Sequence, residues 1–150
     1  MTAEPFMGII LDAFRLHQLE AVLIGNAAAA LQGAPVTTDD FDFFFRDTPA
    51  NVRKLREIAK DWGTSLTHPH EPLSGLYRIE TPKLRLDMMG YIEGNLRFES
   101  VRSRADSVRL GSNTLLVASL ADVIKSKQAA GRKKDKAVLP ILREVLRGKK

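Results

Sequence analysis

The sequence predicts an α+β fold: a mixed β-sheet packed by helices and followed by C-terminal helices. Three observations predict it. Between residues 5 and 18, apolar side chains recur at three- and four-residue steps, the spacing of an amphipathic helix. Residues 64–118 contain short strand-like segments separated by proline, glycine and asparagine turns. From residue 119 to about residue 147, the sequence again favours helix.

The chain of 150 residues predicts a single domain, with a core at about residues 20–118 and a helical segment at about 119–147. It has no cysteine, which excludes disulfides, thiol catalysis and zinc–thiolate sites. No apolar run approaches the roughly 20 residues that a membrane helix needs, and no basic leader precedes an apolar segment. We therefore expect a cytoplasmic protein without a membrane partner. The net charge of +5 permits a polyanionic partner such as a nucleotide.

The first strand is predicted at residues 20–24, a short apolar run that Gly25 ends. Asn26, a good N-cap residue, then opens an alanine-rich helix at residues 27–31. A strand, a glycine turn and a helix N-terminus in this order aim unpaired backbone N–H groups at whatever lies above the strand. A routine tight turn is the alternative interpretation of the same residues.

Residues 40–45 are predicted as the second strand, because acidic and aromatic residues alternate there with a period of two. Phe41, Phe43 and Phe45 would face the core, whereas Asp40 and Asp42 would face the other way, roughly 6.6 Å apart. Two carboxylates held this close repel each other unless a positive charge lies between them. Mg²⁺, which prefers oxygen ligands, is the usual cation for such a pair. The alternative is an acidic strand face exposed to solvent.

Further strands follow from short apolar segments bounded by turn residues. In the one at residues 83–89, alternation puts Arg85 and Asp87 on the face opposite the apolar side chains. His68 and His70 are interpreted as part of a surface loop, because no third metal ligand lies nearby in the sequence. The predicted strands of this region are residues 64–67, 75–80, 83–89, 96–101 and 114–117.

Three more helices are predicted from their end signals. Pro49, preceded by a capping residue, starts one that runs to about residue 62. Ser119 and Asp122 resemble a capping box ahead of a helix at residues 120–130, which Gly131 ends. The last helix is predicted at about residues 133–146, with Pro140 at a kink or a restart.

The order of these features resembles the nucleotidyltransferase superfamily, whose members share a DNA polymerase beta-like fold. More closely, it is similar to small prokaryotic nucleotidyltransferase proteins related to abortive-infection and toxin–antitoxin systems. In that family a Gly-Gly or Gly-Ser pair ends the first strand, a Thr-x-Asp-x-Asp motif follows, and a third acidic residue lies on a later strand. The matching residues are Gly25-Asn26, Thr38-Asp39-Asp40-Phe41-Asp42 and Asp87, within a similarity that spans about residues 22–146.

This resemblance implies an Mg²⁺-dependent transfer of a nucleoside monophosphate from a nucleoside triphosphate, expected to be ATP, to a hydroxyl group. The acceptor could be a protein, an RNA or a small molecule. Asp40, Asp42 and Asp87 would hold two Mg²⁺ ions, and Asp87 would also help to activate the incoming hydroxyl. The residues implied for nucleotide binding are Gly25, Asn26, Thr38 and Lys127, with Lys125 and Arg132 as further candidates.

Two residues depart from the family pattern. Asn26 replaces the usual second glycine or serine, and Val36 stands where close relatives often carry arginine. An alternative is therefore a catalytically weak or inactive nucleotidyltransferase-fold protein that acts as an antitoxin or regulatory subunit by binding a partner protein. A metal-dependent phosphodiester hydrolase using the same carboxylates is a third alternative, which no feature of the sequence specifically supports.

Overall fold

The computed structural model of the chain describes residues 4–37, 40–69 and 75–149, so Thr38 and His70 lie outside the described residues. The helices are α1 (Glu4–Leu16), α2 (Gly25–Leu31), α3 (Pro49–Asp61), α4 (Phe98–Arg104), α5 (Leu120–Ala130) and α6 (Lys133–Gly148). The strands are β1 (Ala21–Ile24), β2 (Phe41–Phe45), β3 (Leu66–Thr67), β4 (Leu76–Thr81), β5 (Leu84–Met89), β6 (Asp106–Leu110) and β7 (Asn113–Val117).

The strands form one mixed sheet in the order β3-β4-β5-β2-β1-β7-β6. Its centre combines two parallel pairs, β2 with β5 and β1 with β7, around an antiparallel pair of β1 and β2. Antiparallel pairing of β3, β4 and β5 extends one side, and the β6–β7 hairpin extends the other. The predicted α+β class, with a mixed sheet and C-terminal helices, is confirmed.

Strand β2 lies in the middle of the core. Phe43 packs edge-to-face against Phe14 of α1, with ring centroids 5.0 Å apart. Phe44, on the opposite face, packs in the same way against Phe98 of α4, at 5.5 Å. Both faces of β2 are therefore apolar at its C-terminal end, and Phe44 is 3% exposed. The acidic face is confined to the start of the strand.

Between residues 96 and 110, one predicted strand is wrong and one strand was missed. The strand predicted at residues 96–101 is the helix α4, in which Phe98 and Val101 are buried three residues apart on one face. Strand β6 was not predicted. It is an edge strand whose residues are exposed or half-buried, so it lacks the apolar alternation that marks a half-buried strand.

Helix α2 begins at Gly25, two residues earlier than predicted. Ile24 occupies the N-cap position without a side-chain cap, so the prediction that Asn26 caps the helix is wrong. Gly25, the first residue of α2, has a φ of +69°, which glycine adopts without steric cost. Asn26 consequently lies inside the first turn. The Oδ1 atom of Asn26 accepts no hydrogen bond from a described residue, so it caps no backbone N–H of the first turn.

The C-terminal helices match their predicted positions. The Ser119 hydroxyl accepts a hydrogen bond from the backbone N–H of Asp122 at 3.1 Å, and Gly131 ends α5 in the left-handed conformation. Helix α6 runs without interruption past Pro140, so a restart there is wrong. Buried Leu139 and Leu142 anchor it on both sides of the proline. Within residues 4–37, 40–69 and 75–149, no helix has the length and apolarity to cross a membrane.

Candidate active site

The central strands bring two aspartates side by side. Asp42 of β2 and Asp87 of β5 are register partners in the parallel pair. On the other side of β2, Asp42 is the register partner of Ile24, the last residue of β1. Gly25 follows Ile24 at the turn into α2, which we call the glycine corner. It is so close to Asp42 that a Cβ atom on Gly25 would lie 3.3 Å from Asp42 Oδ2. The second strand, the later strand and the glycine corner therefore meet at one place.

These residues line a pocket of about 800 Å³. Helices α5 and α6 and the short segment between them supply basic residues to the wall, and strands β4 and β5 supply two arginines. Lys125 is exposed and is not among the residues that line the pocket. The charged and corner residues of the wall are Gly25, Asn26, Asp40, Asp42, Arg78, Arg85, Asp87, Glu93, Asp122, Lys127, Arg132 and Lys134.

Two arginines hold two of the three carboxylates. Arg78 donates to both oxygens of Asp87, from Nε to Oδ1 at 2.7 Å and from Nη2 to Oδ2 at 3.3 Å. Arg85 donates from Nη2 to Asp40 Oδ2 at 3.0 Å, and its Nε lies 3.7 Å from Asp87 Oδ2. The Asp87 side chain is 5% exposed, so its charge depends on these partners.

Asp42 is in a different position. Of the residues that the structure describes, none forms a hydrogen bond or an ion pair with its side chain. Burial, and then the nearby charges of Asp87 and Asp40, raise the pKa of Asp42 to about 6 against the weaker opposing influence of Arg85 and Lys134. The pocket thus contains a carboxylate whose charge is not compensated locally.

Lys127 is fixed in the pocket wall. Its side chain is 12% exposed, and Nζ lies 3.6 Å from Oδ1 of the fully buried Asp135. Arg132 binds the same carboxylate through Nε at 2.6 Å. Burial lowers the pKa of Lys127, against the attraction of Asp135. One buried carboxylate therefore positions two cations at the junction of α5 and α6.

Asn26 carries an unsatisfied polar atom. Its Oδ1 is buried, and no described residue donates a hydrogen bond to it. Buried acceptors of this kind are uncommon in folded proteins and cost free energy. Asn26 therefore brings a side-chain amide, rather than a helix cap, to the wall beside Gly25.

The donor atoms suit a hard cation. In the described part of the chain, no group of three His, Cys, Asp or Glu side chains is already arranged to hold a metal ion. The pocket nevertheless presents carboxylate oxygens, which are the ligands that Mg²⁺ prefers. The uncompensated charge of Asp42 is the specific feature that a bound cation would neutralise, so the residues fit the ion chemically.

Sequence reasoning missed the roles of Arg78, Arg85 and Lys134. Alternation puts Arg85 on the face of Asp87, but it does not show that the two side chains approach each other. A signal for Arg78 was present in the turn at Pro82-Lys83: Thr81 pairs with Leu84, and this register carries Arg78 opposite Asp87. No local pattern marks Lys134, which reaches the pocket through the packing of α6 on α5.

The comparisons with known proteins agree with this architecture. No protein-family model matches the sequence, and no curated protein matches it. Similar solved structures include a Thermotoga maritima protein assigned as a nucleotidyltransferase, with 17% identity and a TM-score of 0.59 over 99% of this chain and 96% of that one.

The antibiotic-resistance factor ANT(2'')-Ia is similar in two structures. Its solution structure has 16% identity and a TM-score of 0.65 over 95% of this chain and 83% of that one. Its crystal structure with adenylyl-2''-tobramycin has 16% identity and a TM-score of 0.65 over 97% of this chain and 90% of that one. The predicted nucleotidyltransferase-like fold is thus confirmed. No relation to toxin–antitoxin or abortive-infection systems is shown.

Proposed function

We propose that this protein is an Mg²⁺-dependent nucleotidyltransferase that moves a nucleoside monophosphate from a nucleoside triphosphate to a hydroxyl group. The proposal rests on one observation. Asp42 and Asp87 are register partners on parallel strands, beside Gly25, in a pocket on a fold shared with nucleotidyltransferases. The acceptor is a protein, an RNA or a small molecule, and we propose ATP as the donor.

The reaction is an in-line displacement at the α-phosphorus. The acceptor oxygen bonds to that phosphorus, the bond to the bridging oxygen breaks, and pyrophosphate leaves. Mg²⁺, when bound, supplies positive charge to the attacking and leaving oxygens. Asp40, Asp42 and Asp87 would supply its ligands, for two ions in all, and Asp87 would accept the proton of the incoming hydroxyl.

Basic residues would receive the triphosphate. Lys127 and Arg132 lie in the pocket wall, already positioned by Asp135, and Lys134 is close enough to influence Asp42. Backbone N–H groups at Gly25 and Asn26 would bind phosphate oxygens, since a glycine lets the backbone approach closely. We propose Thr38 as a further nucleotide-binding residue.

The absence of cysteine from the sequence supports a cytoplasmic location.

A second function is favoured by the arginine contacts. Arg78 holds both oxygens of Asp87, and Arg85 holds Asp40, so two of the carboxylates already have counterions. Val36 packs against the core, where close relatives often carry a cation. A protein of this kind would act as an antitoxin or a regulatory subunit that binds a partner protein without turning nucleotide over.

Nucleotide binding and transfer distinguish the two functions. We expect a non-hydrolysable ATP analogue to bind the wild type with Mg²⁺, and Asp42→Ala to weaken binding at least tenfold by calorimetry. Transfer of label from α-labelled ATP should likewise need Asp42. Glu144→Ala, at an exposed position on α6, is the matched control. If wild type and Asp42→Ala bind the analogue equally poorly while a partner protein still binds, the transferase proposal fails.

A further inference from the structure

Two of the three arginines in the pocket wall, Arg78 and Arg85, lie on strands and not on the basic helical segment. Arg78 is on β4 and Arg85 on β5, whereas Lys127 and Lys134 belong to α5 and α6. Helix α5 follows β7 and packs on α2, next to β1, and the sheet order is β4-β5-β2-β1-β7. The pocket wall therefore has an arginine side, formed by β4 and β5, and a lysine side, formed by α5 and α6.

One hydrogen-bond donor on the arginine side has no acceptor. Arg85 Nε is buried, and no described residue accepts a hydrogen bond from it. The nearest carboxylate oxygen recorded for it, Asp87 Oδ2, is 3.7 Å away, beyond hydrogen-bond distance. A buried donor without an acceptor costs free energy, and a shift of the Arg85 side chain that brings Nε to a ligand oxygen recovers that cost.

The same carboxylates are the proposed ligands of the cation. An oxygen of Asp40 or Asp87 that binds a dication is a weaker hydrogen-bond acceptor for a guanidinium group. Cation binding therefore leaves N–H donors of Arg78 and Arg85 that require other acceptors. A guanidinium fork matches the geometry of a phosphate or a carboxylate. A polycationic acceptor would instead meet two like charges at this side of the pocket.

We propose that Arg78 and Arg85 bind an anionic group of the acceptor, so that the preferred acceptor is a hydroxyl compound that also carries a phosphate or a carboxylate. This inference rests on the proposed transferase function and assigns its acceptor class. The triphosphate occupies the lysine side, and the acceptor's anion occupies the arginine side. Both arginines are then specificity-determining residues rather than permanent counterions.

Inorganic phosphate and acetate are the simplest probes. The protein is first saturated with Mg²⁺ and a non-hydrolysable ATP analogue, which fills the triphosphate site, and each probe is then titrated by calorimetry. We expect millimolar binding of phosphate or acetate to the wild type, at least a fivefold loss in Arg85→Gln, and no effect of Arg109→Gln. Arg109 is the matched control because it is an exposed strand arginine on β6 that does not line the pocket.

A second variant is made at Arg78. Because the buried Asp87 depends on Arg78, this variant keeps a positive charge at the position. Arg78→Lys keeps the charge but removes the fork, and should also weaken phosphate binding while the ATP analogue still binds, which shows that the variant is folded. Equal binding to wild type and Arg85→Gln overturns the proposal, as does failure of both probes to bind while the analogue binds, or preferential binding of tobramycin, a polycation. Failure of the analogue itself to bind is a different result, which removes the transferase function and this inference with it.

Discussion

Asp42 and Asp87 lie opposite each other on adjacent parallel strands, in register, with the Gly25 corner beside Asp42. Asp87 has arginine partners, but Asp42 has no hydrogen bond or ion pair from the described residues. Two carboxylates this close cannot both ionise without a free-energy cost. The fold therefore keeps two carboxylates close together although they repel each other, which is expected where a cation binds as part of function.

Replacing Asp42 with asparagine should stabilise the metal-free protein at neutral pH. The pKa of Asp42 is raised from 3.8 to about 6, so between these pH values the unfolded chain releases its proton first, and wild-type stability falls as the pH rises. Asparagine does not ionise and escapes this loss. We expect Asp42→Asn to gain on the order of 1–3 kcal/mol at pH 7.5, measured by denaturant unfolding with EDTA.

The pH dependence is the control for this effect. Below the unfolded-state pKa of 3.8, Asp42 is protonated in both states, so the gain should vanish there. Asp106→Asn, at an exposed carboxylate on β6, should show no comparable gain at any pH. A stability difference between Asp42→Asn and the wild type that is constant from pH 3.5 to 7.5 contradicts the charge explanation.

Gly25→Ala should cost stability and also disturb nucleotide binding. The backbone φ of Gly25 is +69°, where an alanine is strained by roughly 1–2 kcal/mol. Its Cβ would press on Asp42 at 3.3 Å. Gly111→Ala is the matched control, since Gly111 has a φ of +62° but its Cβ would meet nothing within 4 Å. Both variants should lose stability, whereas only Gly25→Ala should weaken binding of the ATP analogue. Equal analogue affinity in the two variants counts against the site.

Lys127→Met should weaken binding of the ATP analogue by about tenfold, because a pocket cation close to a triphosphate contributes roughly 1–2 kcal/mol. Lys136→Met, at an exposed position on α6, should leave the affinity unchanged. Calorimetry at two salt concentrations is the measurement. The loss in Lys127→Met should shrink at high salt, since screening weakens the interaction that the variant removes. An unchanged affinity excludes Lys127 from the phosphate site.

An ion network outside the pocket should set an acid limit on stability. Burial raises the pKa of Glu20, but hydrogen bonds from Arg102 and Arg46 outweigh this and lower it. The stabilisation is thus present above the ordinary pKa of 4.5 and is lost as the pH falls through the lower folded-state value. Glu20→Gln should lose under about 1 kcal/mol at pH 7, because the side chain is partly exposed. A loss that persists at pH 2 would exclude the ionic explanation.

Local patterns predicted the elements that carry the carboxylates. Alternation marked β2, because Phe41, Phe43 and Phe45 face one way, and a similar pattern marked β5. Local patterns gave a wrong prediction at residues 96–101, where the apolar residues fit both the strand period and the helix period. Leu96 and Phe98 suggest a strand, but Phe98 and Val101 have helical spacing, and their burial in the helix decides the outcome.

The pairings within the site depend on register and tertiary packing. Arg78 meets Asp87 only because the hairpin turns at Pro82-Lys83. Asn26 is a residue type common at N-caps, but α2 begins at Gly25, which places Asn26 inside the first turn. Lys134 approaches Asp42 because α6 packs on α5, which no local sequence pattern encodes.

The most direct test of the proposed site is a crystal of the protein soaked with a non-hydrolysable ATP analogue and Mn²⁺, which replaces Mg²⁺ and gives an anomalous signal. We expect an anomalous peak within about 2.0–2.3 Å of an Asp42 oxygen and of an Asp40 or Asp87 oxygen. The triphosphate should lie between the Gly25 corner and Lys127. A nucleotide bound elsewhere, or no peak at Asp42 while Arg78 still holds Asp87, would contradict the proposed transferase site.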